Sequence, residues 1–149
     1  MRNDEFAQAF RAINTEPQEV IEADTFYKVL FQDEQFDFGD IYNPNSSTFV
    51  PQQDGVYYVS SIVTFLATSN ENPYRVRLEI RVNGTSVSAD NDYWDEFAFS
   101  NAVQVSTVLF LEADDIVEVY LTSTVPGRIN LNSTTQPSFS TRFEASKFY

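Results

Sequence analysis

The chain has no cysteine and no histidine among its 149 residues. Without cysteine there is no disulfide and no thiolate metal site. Without histidine, the base that activates most acyl-transfer nucleophiles is missing. Lysine is scarce too: Lys28 and Lys147 are the two present, and neither lies in a recognisable Ser-Lys motif. Glycine occurs 4 times, too few for a collagen-like Gly-X-Y stretch. Positive charge is thin, with 9 bases against 22 acids and a net charge of −13. Phosphate binding needs clustered cations that release counterions, so nucleic acid and anionic lipid are not expected partners. No apolar run approaches the roughly 18 residues of a membrane span, so no membrane insertion is expected. The polar, acidic segment Met1 to Phe10 has no apolar core of a secretory signal, so no signal peptide is expected within this chain.

What is abundant is aromatic. There are 14 Phe and 8 Tyr, and hydrophobic residues reach 42%. Each buried ring removes about 150–250 Å² from water, so these rings fill a core and leave some for an interface. A chain of this length buries roughly 70% of its unfolded surface without staples. Residues 1–149 are therefore expected to form a single domain.

The patterning is that of strands. From Arg75 to Val82, Arg75, Arg77, Glu79 and Arg81 alternate with Val76, Leu78, Ile80 and Val82, a period of two with one wet face. Asn83-Gly84 follows, and both residues tolerate positive φ, as a type I′ hairpin turn demands. Thr85 to Ser88 is expected to return as a short strand. Phe26 to Phe31, Val56 to Ala67, Ala102 to Leu111, Ile116 to Thr122 and Phe139 to Ala145 read as further strands. Val56 to Ala67 is apolar enough to want cover on both faces. Glu5 to Ala12 fits both periods and is read as a strand. Asn43-Pro44-Asn45, Asp54-Gly55, Asn70 to Pro73 and Pro126-Gly127 punctuate these runs. The pattern is all-β, an antiparallel sandwich or barrel.

Candidate chemistry is sparse. The run Asp90-Asn91-Asp92-Tyr93-Trp94-Asp95-Glu96 reads as an acidic loop with hard oxygen ligands at short spacing, as Ca²⁺ prefers. It departs from an EF-hand loop at Trp94 and Asp95. A solvated charge run accounts for the same residues. Trp94 with Tyr93 is a candidate anchor for a sugar or a protein, or a ring packed on the sandwich end. Arg75, Arg77 and Arg81 form a candidate carboxylate-binding stripe, or else pair with acids of neighbouring strands. Glu79 with Asp92 or Asp95 is the one conceivable glycosidase pair, although an ion pair among three arginines explains Glu79 as well.

Asp40, Tyr42, Asn43, Phe49, Pro51, Gly55, Val56, Tyr57 and Tyr58 stand in an order that resembles the central signature of the C1q-like globular head domain. Val82-Asn83-Gly84 resembles that family's strand-ending Asn-Gly. Leu109, Leu111, Asp115 and Val117 resemble its leucine-rich strand, tight turn and next strand, and Phe139-Ser140 to Phe143 its last strand. The likeness runs from about Phe6 to Phe148. Thr48, Asp114 and Thr141 replace glycines of the pattern, which marks a divergent member similar to the C1q-like domains of bacterial spore surfaces.

The resemblance implies a C1q/TNF-like antiparallel jelly-roll sandwich of about ten strands. It also implies a homotrimer with a recognition or structural role and no catalysis, placed outside the cell or on a spore or cell surface. Calcium-binding members of the family draw ligands from the loop that here holds Asp90, Asp92 and Asp95, and from the position of Asn101. Calcium is thus the one cofactor in view. The ligand, a protein or a carbohydrate, stays open. The alternatives are a carbohydrate-binding jelly roll acting as a monomer and a carboxylate-dependent glycosidase.

Overall fold

A computed structural model describes residues 7–69, 71–95, 101–129 and 141–149. Met1, Glu5, Phe6, Asn70, Glu96, Phe139 and Ser140, named above, lie outside the described residues. Among the described residues there is no helix. In chain order the strands are β1 (Ala9–Ile13), β2 (Gln18–Val20), β3 (Tyr27–Lys28), β4 (Asp33–Phe38), β5 (Tyr42–Asn43), β6 (Thr48–Phe49) and β7 (Gly55–Ala67). There follow β8 (Tyr74–Val82), β9 (Thr85–Trp94), β10 (Asn101–Leu111), β11 (Val117–Ser123), β12 (Gly127–Ile129) and β13 (Arg142–Lys147).

They form two antiparallel sheets. A seven-stranded sheet has the order β2-β12-β7-β13-β1-β4, with β10 also paired to β7. A six-stranded sheet has the order β5-β6-β11-β8-β9, with β3 also paired to β11. This is the jelly-roll sandwich. The thirteen strands among the described residues exceed the expected ten because β3, β5 and β6 are two-residue pairings. Of the expected strand Phe26 to Phe31, only Tyr27 and Lys28 join a ladder.

Alternation decides which side chains meet inside. In β8, Tyr74, Val76, Leu78 and Ile80 are buried, and they lie beside Val117, Val119 and Leu121 of the neighbouring β11 on the same inner face. Phe10 of β1 stacks on Tyr42 at 4.6 Å and meets Phe143 edge-on at 5.0 Å. Ring pairs of this kind add about 0.5–1.5 kcal/mol each beyond their area. Phe10→Ala would empty the centre of this cluster at a cost of about 3–5 kcal/mol.

The turn after β8 has φ of 52° at Asn83 and 84° at Gly84, as the Asn-Gly pair requires. The three positions that lack a family glycine are handled separately. Asp114 itself takes φ of 74°, and its N–H donates to the Pro51 carbonyl at 2.9 Å. Beside Thr48, Ser47 carries the positive φ, at 53°. Thr141 is fully buried, where its hydroxyl accepts from the Thr64 N–H at 3.1 Å and shares a 2.8 Å bond with the Thr64 hydroxyl. A polar atom inside the sandwich is thereby satisfied rather than orphaned.

Candidate functional site

The acidic segment is not the loop its composition implies. Strand β9 runs on through Trp94, paired to β8 along its length, with Asp90 opposite Leu78 and Asp92 opposite Val76. Asp and Asn have poor strand propensity, but pairing with a long partner overrides it. Asp90 and Asp92 project from the inner side of β9, half-buried, on the side where Ser88 Oγ donates to the Ser106 carbonyl of β10 at 3.3 Å. Burial raises the Asp92 carboxyl above the ordinary value, and the charge and hydrogen bond of Asp90 raise it further.

Asp95 is exposed just past the strand, and Asn101 opens β10 with its Nδ2 donating to the Tyr74 hydroxyl at 2.8 Å. Among the described residues no three Asp or Glu gather as a metal would need. Asp90 and Asp92 bring together two carboxylates, short of the roughly six to eight oxygens that Ca²⁺ takes.

Glu79 projects from the opposite face. It is 5% exposed, and it accepts from Arg77 Nε at 2.7 Å and from Arg81 Nε at 2.9 Å. Both partners lie on its own strand, two residues either side, rather than on a neighbouring strand. Burial alone would push this carboxyl up, but the two hydrogen bonds and the two guanidinium charges outweigh it and hold it below the ordinary value. Arg81 is itself stacked, 4.5 Å from the Phe26 ring centroid and 4.0 Å from that of Tyr120. Glu79 and Asp92 therefore stand on opposite faces of one sheet, the first held by two arginines. They cannot flank one glycosidic bond, and that glycosidase pairing is set aside.

The site that sequence reading missed is a surface. The outer side of the seven-stranded sheet carries a row in register, from Val108 through Tyr58, Ser146 and Ala9 to Phe38. Phe110 flanks the row on β10, and Phe36 flanks it on β4. Tyr58 is 41% exposed, Phe38 51%, Val108 57% and Phe110 62%. A groove of about 360 Å³ runs between the Phe36 and Tyr58 rings, floored by Ala9, Ala145 and Ser146. The alternation in β7 and β10 held the signal. Tyr58, Val108 and Phe110 are apolar at positions where a wet face would be polar.

No family model matches the chain, and no curated protein matches it. Solved structures do. Murine APRIL at pH 5.0 superposes with a TM-score of 0.68 at 12% identity, over 95% of this chain and 99% of that one. The Eiger TNF structure from S. frugiperda gives 0.61 at 16%, over 96% and 93%. The globular domain of zebrafish complement 1qA protein gives 0.52 at 18%, over 96% and 98%. The fold is thus the jelly roll that these TNF and complement 1q structures share.

Proposed function

We propose that the chain is a non-catalytic binding or structural module that assembles as a homotrimer through the outer face of the seven-stranded sheet. The observation that carries this reading is the exposed row of Tyr58, Val108, Phe110, Phe36 and Phe38. Contiguous apolar surface of this kind on a folded chain marks an interaction site. A second and third copy are the occupants favoured here, because the C1q-like resemblance implies threefold assembly. Covering these rings also offsets the mutual repulsion of chains that each carry a charge of −13. The setting that fits is outside the cell or on a cell or spore surface. Light scattering on a gel-filtration peak is the test. A mass of three times 17.0 kDa is expected, and a monomer at micromolar concentration would remove the proposal.

A further inference from the structure

Five arginines and one lysine of the described chain face a carboxylate. Arg11 and Arg142 meet Glu144, Arg77 and Arg81 meet Glu79, Arg128 meets Glu19, and Lys28 meets Glu118. Arg75 meets none among the described residues, in a chain with 22 acids. Its Nε is buried and has no hydrogen-bond partner there. Its backbone is committed: the Arg75 N–H donates to Thr124 Oγ1 at 3.0 Å, and the Thr124 N–H donates to the Arg75 carbonyl at 3.0 Å. The strand is thus fixed while the guanidinium has no carboxylate partner among the described residues.

Arg75 lines a groove of about 230 Å³ where β8, β9 and β11 end, with Pro73, Tyr74, Tyr93, Trp94 and Thr124. The walls are mostly rings. Tyr74 is buried and packs against Trp94, with centroids 5.6 Å apart. Tyr93, opposite Arg75 in the ladder, is 74% exposed. The volume falls below the roughly 300–1,000 Å³ of sites for drug-sized ligands, which leaves room for one ring rather than a chain. We infer that this groove binds a carboxylated sugar ring. The guanidinium takes the carboxylate through its donor fork, and Tyr93, its ladder partner on the same face, covers the apolar face of the ring, while Trp94, packed on Tyr74, closes the groove from the other side of the strand. The Tyr93 hydroxyl and the Trp94 indole N–H supply polar tips for the ring hydroxyls. An aromatic pair beside an arginine is also the composition that dominates binding hot spots. The inference does not rest on trimer formation, because the groove belongs to the six-stranded sheet.

Trp94 is the sole tryptophan, so its emission reports on this groove alone. The full chain is titrated at matched ionic strength with methyl glucuronide, N-acetylneuraminate, neutral methyl glucoside and N-acetylphenylalanine. A saturable change with at least one sugar acid is expected, about tenfold weaker or more with the glucoside and in Arg75→Ala. Arg75→Lys should recover only part of the loss, since lysine lacks the fork. Tyr93→Ala removes an exposed ring, leaves the core intact and should also weaken binding. No saturable response, an equal response to the glucoside, or unchanged binding by Arg75→Ala overturns the inference. A response to N-acetylphenylalanine with none to either sugar acid overturns it in favour of a peptide carboxyl terminus. A chain that runs as a monomer and still binds the acid keeps this inference and sinks the trimer.

Discussion

The two outer faces of the sandwich treat their aromatic rings in opposite ways. On the six-stranded sheet, Phe26 and Tyr120 hold the Arg81 guanidinium between them, and Arg81 in turn holds Glu79. On the seven-stranded sheet, the rings of Phe36 and Phe38 pair with each other, 5.5 Å apart, and no cation stacks on them, Tyr58 or Phe110 among the described residues. A ring under a guanidinium has a charged, hydrated cover and gains little from docking. A bare ring gains from any surface that removes it from water, at about 25 cal/mol per Å². The same residue types thus make a finished surface around Arg81 on one sheet and an unfinished row on the other.

The change with the largest expected effect attacks the unfinished face. Tyr58→Glu combined with Val108→Glu places two carboxylates per chain on the face through which we propose the copies meet, and the proposed trimer should be lost outright. The mass should fall to 17.0 kDa with the fold intact, since substitutions at exposed sites cost within about 0.5 kcal/mol. Tyr93→Glu, on the other sheet, should leave the mass unchanged. An intact trimer in the double variant would break the comparison.

The finished face is tested next. Glu79→Ala removes the acceptor of two charged hydrogen bonds and leaves two arginines facing each other, so urea unfolding should show a loss of about 1.5–3 kcal/mol. Glu19→Ala, at an exposed pair 3.8 Å apart, should change stability by no more than about 0.5 kcal/mol. Equal losses would mean that the Arg77–Glu79–Arg81 ladder adds no more than an ordinary surface pair.

Acid sharpens the contrast between two carboxylates of the same sheet. Asp92 has its folded value raised above 3.8, so the folded chain holds that proton more tightly than the unfolded one. Its contribution to stability is gained as pH falls through that raised value and lost as pH rises through it. Glu79 is held below 4.5, so its contribution is present above that value and is lost as pH falls through the folded one. Asp92→Asn should therefore melt higher than the parent at neutral pH, and the gap should close toward about pH 4. A gap that persists or widens in acid would reverse the assignment.

The smallest effect concerns calcium at the same pair, which we propose is held weakly. A divalent cation relieves the Asp90–Asp92 repulsion, so millimolar CaCl₂ should raise the melting temperature by about a degree over EDTA at matched ionic strength. The shift should vanish in Asp92→Asn. A shift that survives places the metal elsewhere.

The sequence disclosed what repeats with a clean period. Arg75 to Val82 became β8 and Val56 to Ala67 became β7, each within a residue, because alternation and apolar content express burial directly. The Asn83-Gly84 turn was legible because few residues accept both of its φ angles. Strand β9 begins at Thr85 as expected, but its continuation past Ser88, and all of β4, were hidden by their composition. Strand β9 carries Asp90, Asn91 and Asp92 and is held by its hairpin partner β8; β4 carries Asp33, Glu34 and Asp37 and is held by β1, some twenty residues earlier in the chain. The Arg77–Glu79–Arg81 ladder was half legible. The ion pairing was visible, but its confinement to one strand depends on side-chain reach along the pleat. Register across β10, β7, β13, β1 and β4 is non-local, so the row from Val108 to Phe38 could not be assembled from the linear order.

Hydroxyl-radical footprinting read by mass spectrometry tests the central claim most directly, because it reports ring by ring which aromatics meet solvent. At micromolar concentration, Phe36, Phe38, Tyr58 and Phe110 should be oxidised far more slowly than Tyr93, although all five are exposed on the lone chain. That protection should disappear in the Tyr58→Glu, Val108→Glu variant. Oxidation of the four rings at the rate their exposure on a single chain dictates, with no change in the variant, would contradict assembly through this face.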